Sequence, residues 1–149
     1  MPMDAERWAL QPPAPTTAAL ARAHLALGVA ALIGSGLLAV VLVLSRTPGI
    51  AAVFPLRDLF RAALVVHVDL SVLIWFMAFA ALAWSLVTPP RAMALGWLGW
   101  GLSALGTAGL MCSPFLPGAT PLLNNYIPVL EQPFFLGALG LCGVGFGIA

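Results

Sequence analysis

The stretch Leu59–Val87, LFRAALVVHVDLSVLIWFMAFAALAWSLV, is nearly all hydrocarbon, and its length decides the fold. A membrane core about 30 Å thick needs about 20 apolar residues at a rise of ~1.5 Å each, which this run exceeds. Three ionisable side chains interrupt it: Arg61 near its start, then His67 and Asp69. His67 stands about two turns into the helix, roughly 10–12 Å below its entry surface, where an imidazole is costly unless something binds it.

The rest of the chain surrounds this segment with others like it. Of 149 residues, 62% are hydrophobic and 7% charged, and the mean hydropathy is +1.05. Lysine is absent. This composition predicts an all-α integral membrane protein whose solvent is the lipid bilayer. A formal net charge of +1 with no basic cluster leaves no footprint for nucleic acid or an anionic surface as partner.

Apolar runs over Ala18–Leu44, Leu59–Val87, Met93–Cys112 and Pro128–Ala149 predict four spans. Short connections make them antiparallel neighbours in one bundle, expected to be part of a larger one. Residues 18–149 form this transmembrane domain. Residues 1–17, with Asp4, Glu6, Arg7 and the prolines at 12, 13 and 15, read as a polar tail. The apolar run behind the tail is too long for the core of a signal peptide and lacks a clear cleavage site. Ser45–Asp58 contains Thr47-Pro48-Gly49, Thr88-Pro89-Pro90-Arg91 is a tight turn, and Ser113–Pro133 is a proline-rich apolar connector that lies at the interface or caps the bundle. Small residues at Gly99, Ser103 and Thr107, and the GxxxG pair Gly143 and Gly147, allow close helix approach.

His67, Ser71 and Trp75 follow at four-residue steps and share a stripe of the helix. A hydroxyl there can orient the ring and an indole can pack beside a flat ligand. Heme fits that description, because neutral histidine is its common axial donor. The alternative is a histidine hydrogen-bonded to a neighbouring helix. Asp69 lies about 200° around from His67 and needs its own partner. It pairs with Arg61, two turns earlier, or belongs to a proton path. His24 starts the first span and is expected near the opposite surface, on the order of 15–20 Å from His67, so the two cannot share one iron. Cys112 and Cys142 have no CxxC spacing and read as packing residues. With no phosphate loop, no HExxH and no nucleophile beside a base, hydrolysis and phosphoryl transfer find no support.

A polar tail, a long first span and a second span with an early histidine and an aromatic-rich remainder resemble the start of the heme-copper oxidase catalytic subunit (cytochrome c oxidase subunit I). In that family the second helix gives an axial histidine to a low-spin heme, which the resemblance carries to His67 in LVVHVDLSVLIWF. NNYIPVL is similar to the tyrosine-proline loop between the family's third and fourth helices. Val68 and Asp69 follow His67 where members commonly have glycine. The family's copper ligands have no counterparts, since His24 and His67 are the only histidines. Copper is therefore not supported by this chain.

The resemblance implies a heme-binding segment of a respiratory-type oxidoreductase, completed by the remaining helices of a longer subunit or by other membrane subunits. It also implies a bacterial inner membrane with the N-terminus cytoplasmic. Arginines do not decide orientation, with Arg7, Arg22 and Arg91 on one side and Arg46, Arg57 and Arg61 on the other. The apolar ending PFFLGALGLCGVGFGIA, without a polar flank, agrees with a longer chain. The competing readings are a non-catalytic assembly or accessory bundle, and a proton or small-solute transporter using Asp69.

Overall fold

A computed structural model describes residues 13–50, 57–123 and 128–149. The Asn124–Ile127 part of the tyrosine-proline loop and most of the N-terminal tail lie outside the described residues. Helix α1, Pro15–Arg46, begins three residues before the expected span, because Pro15 sits in the first turn, where its missing N–H costs nothing. It stops where Thr47 turns extended, and Gly49 then takes φ 91°, the left-handed conformation that the Thr-Pro-Gly turn requires.

The second span consists of α2 (Arg57–Val68), a π-helical segment (Asp69–Ile74) and α3 (Trp75–Ser85), continuous with one another. Pro89 breaks it in an extended conformation, and a short 3-10 turn at Pro90–Ala92 leads into α4, Met93–Cys112. A second 3-10 turn, Ser113–Phe115, opens the connector. Its centre is a small antiparallel hairpin, β1 (Pro121–Leu122) with β2 (Val129–Leu130), in register Pro121 to Leu130 and Leu122 to Val129. Helix α5, Pro133–Ile148, follows.

Three helical stretches, Pro15–Arg46, Leu59–Ser85 and Pro90–Phe115, are long and apolar enough to cross a membrane, and they fit an integral membrane protein. The fourth differs from expectation. Pro128–Ala149 is not one continuous helix: Val129 and Leu130 pair in the hairpin, and the helix starts only at Pro133. Its 16 residues make it shorter than the other three.

The helices turn large apolar side chains outward, with Val43 67% and Phe76 61% exposed, as lipid-facing surfaces do. The buried core joins Ala31 and Leu38 of α1 to Val65, Val66, Leu70 and Ile74 of the second span, with Leu110, Leu130 and Phe135 beside them. Helices α4 and α5 approach backbone to backbone. A Cβ on Gly106 would sit 2.6 Å from the Ala138 carbonyl oxygen, and one on Gly99 would sit 2.7 Å from that of Gly145. Gly99 and Ser103 thus lie in a close interface as expected. The GxxxG pair does not, since Gly143 and Gly147 face open space and Gly145 is the glycine that meets Ser103.

Candidate functional site

His67 ends the regular part of α2, partly buried against α1. Its Nδ1 lies 2.9 Å from the Ser35 carbonyl oxygen and 2.8 Å from Ser35 Oγ. A carbonyl only accepts, so Nδ1 carries the hydrogen. In the neutral ring the lone pair is then on Nε2. Histidines that bind metals are held in this way, with the other ring N–H donated to a backbone carbonyl.

Ser35 was missed by the sequence reading, although a serine inside ALIGSGLLAV is a signal, since polar side chains in spans turn toward neighbouring helices. Its hydroxyl donates to the His67 carbonyl at 3.0 Å, and Ser71 donates to the same oxygen at 2.8 Å. Ser71 therefore serves the backbone at the α-to-π junction, and the hydroxyl beside the ring belongs to Ser35. The reason is local: a serine one turn on bonds most easily to the carbonyl four residues behind it. Trp75 also faces α1, where a Cβ on Gly28 would meet its Cε3 at 3.0 Å, and its other neighbour is Phe79 at 6.1 Å between ring centroids. One edge of the indole thus packs against α1, and the ring is half-buried.

Asp69 opens the π segment and is 1% exposed, with both carboxyl oxygens buried and without a partner among the described residues. The expected Arg61 pairing does not form. Arg61 is exposed and lines a surface groove against Pro114–Pro121, eight residues and about 12 Å of helix away from Asp69. π turns inside α-helices occur frequently at functional sites, which gives Asp69 a second reason for notice.

His24 is fully buried, beside Ser85 at the end of the second span away from His67. Its Nδ1 is 3.2 Å from the Leu20 carbonyl and 3.1 Å from Ser85 Oγ, whose own hydrogen goes to Ala81 at 2.7 Å. Nδ1 is again the protonated nitrogen. Here, however, Nε2 is enclosed without a partner, leaving no room for a ligand. His24 and Ser35 are 11 residues apart on α1, so the two imidazoles are held at levels about 16 Å apart, and one iron cannot take both. Among the described residues no group of three metal-ligating side chains comes together. Cys142 is buried near Thr107 and Ser103, each at 3.7 Å, whereas Cys112 is exposed at the end of α4 and does not pack in the core.

Two curated relatives match the chain. An uncharacterized protein of Rickettsia prowazekii (strain Madrid E) is 32% identical over 149 aligned residues, covering 84% of this chain and 29% of that protein. An uncharacterized protein of Aquifex aeolicus (strain VF5) is 29% identical over 110 residues, covering 74% of this chain and 28% of that protein. The chain thus spans less than a third of the length of either relative. No family model and no solved structure matches.

Proposed function

We propose that the chain is the heme-ligating helical segment of a respiratory-type membrane oxidoreductase, resembling the heme-copper oxidase catalytic subunit, with His67 as one axial ligand of a low-spin heme. The observation that carries this reading is the Ser35 carbonyl bond to Nδ1, which leaves the Nε2 lone pair on a ring that is only partly buried. The residues fit one axial position, since the only other histidine is enclosed. Bound there, a heme supplies a one-electron iron couple. The chain's own part is to hold the imidazole in one tautomer and one orientation and to keep water away with apolar helices.

In this reading the second axial ligand, any copper site and the electron donor and acceptor belong to residues beyond these 149, in a longer subunit or in other subunits. The four helices cross a bacterial inner membrane, with α5 as a short fourth span, the N-terminus cytoplasmic, and the 45–58 and 113–127 connections outside. Replacing His67 with alanine in the complete assembly, within native membranes, tests the reading. The low-spin heme signal in reduced-minus-oxidised spectra should vanish while the helices stay inserted. A signal that survives would exclude His67 as the ligand. A second reading, proton or small-solute transport, is favoured by the unpartnered Asp69 carboxyl at the π segment. Proton flux into vesicles that stops with Asp69→Asn, in protein that holds no chromophore, would select it.

A further inference from the structure

A groove of about 470 Å³ opens where the second span begins. One wall is the start of α2, with Leu59, Arg61 and Ala62; the other is the connector, including Leu116, Pro117 and Thr120. That second wall is pinned. Gln132 Nε2 donates to the Pro117 carbonyl at 3.1 Å, the Leu116 N–H to Ser113 at 3.2 Å, and the Glu131 N–H to Thr120 at 2.8 Å. Prolines at 114, 117 and 121 stiffen it further.

Among the described residues Arg61 is the one charged side chain lining it, and no carboxylate shares the groove with that guanidinium. Its depth is also defined, because the apolar span begins at Leu59, two residues earlier. Arg46, the last residue of α1, lies 4.5 Å over the Phe60 ring and adds a second cation at the same end. The connections here carry Arg46, Arg57 and Arg61 against Asp58 and Glu131, an excess of positive charge. A rigid groove at headgroup depth, with a guanidinium among apolar side chains, matches a phosphate that carries hydrocarbon. The planar fork of arginine meets two phosphate oxygens at once, and basic pockets between helices at a membrane surface take anionic headgroups.

We propose that this groove binds the headgroup of an anionic phospholipid, with its phosphate on Arg61 and its glycerol and first acyl carbons against Leu59, Ala62 and Leu116. A free phosphate ion would use the guanidinium and leave the apolar lining unused. The site does not depend on the heme reading, since Arg61 and His67 lie about 240° apart around the helix.

The test uses the purified full chain in a non-ionic detergent, incubated with phosphatidylglycerol or phosphatidylcholine, washed, and weighed by native mass spectrometry. Phosphatidylglycerol should be retained about tenfold better, the worth of one charge-assisted contact. Arg61→Gln should erase the preference, Arg61→Lys should weaken it in part, and Arg91→Gln at the opposite end should leave it intact. Excess inorganic phosphate should not displace the lipid. Equal retention of the two lipids, a preference that persists in Arg61→Gln, or displacement by inorganic phosphate at matched concentration would overturn the proposal.

Discussion

Ser35 holds His67 from the neighbouring helix through its backbone carbonyl, 2.9 Å from Nδ1, and its hydroxyl reinforces a bond that the main chain already makes. Ser35→Ala should therefore leave the imidazole anchored. Its expected cost is about 0.6 kcal/mol, the usual worth of a side-chain hydrogen bond between membrane helices, read from unfolding in mixed micelles. In the complete assembly the low-spin heme should remain, with its absorption band shifted at most slightly. Loss of heme in this variant would show that the hydroxyl, and not the carbonyl, sets the tautomer.

His24→Leu gives the contrasting result. The imidazole is buried with one nitrogen unpartnered, and Ser85 already bonds within its own helix, so an apolar side chain of similar size gives up little. Stability should change by less than about 1 kcal/mol, and heme content in the assembly should not fall. A variant that lost heme would place His24 in the binding site after all.

Asp69→Leu should stabilise the chain. It removes two buried acceptor oxygens that find no donor among the described residues, a burden of about 1–3 kcal/mol. A higher unfolding midpoint, together with lost function in the assembly, would mark Asp69 as a residue retained at the expense of stability. A lower midpoint would mean that the carboxyl has a partner supplied from outside these residues.

The close contact of α4 with α5 predicts a sharp difference between two glycines. Gly106→Leu would force a side chain into the Ala138 carbonyl and Cys142, and overpacking of this kind costs about 1–3 kcal/mol or separates the helices. Gly143→Ala adds a methyl group to open space and should leave the unfolding curve unchanged.

Orientation can be read by cysteine labelling in a Cys112→Ser background, because Cys112 is exposed. With the N-terminus cytoplasmic, Ile50→Cys should react with a membrane-impermeant reagent from outside and Pro90→Cys should resist. The reverse pattern would invert the topology.

Local physics made the helices legible. Length and apolarity gave three of the four stretches to within a few residues, and prolines marked most of their ends. The fourth boundary failed because Val129 and Leu130 are as apolar as helix residues, and only their pairing with Pro121 and Leu122 removes them from the span. At the site, His67 and Asp69 were visible as ionisable groups in hydrocarbon. Their partners were not: the bond from Ser35 crosses 32 residues of sequence, and the missing Arg61 pair depends on where a connector folds. The burial of His24 was hidden for the same reason. Its cover comes from Ser85, which is 61 residues away.

The π segment between α2 and α3 is a matter of counting as much as of shape. A π turn holds one residue more than an α turn, so deleting one residue between 69 and 74, Val72 for instance, would let the backbone close into a regular helix with its two halves still facing as they do now. His67 and Trp75, which now both reach α1 at Ser35 and Gly28 from eight positions apart, would then stand seven apart, about two α turns, and still share that face. When this span is aligned with an unbroken helix of another protein, a one-residue gap belongs in that window. Where the gap is placed decides which residue downstream is equated with Trp75, and a letter-by-letter match carried through it would compare the wrong faces of two helices.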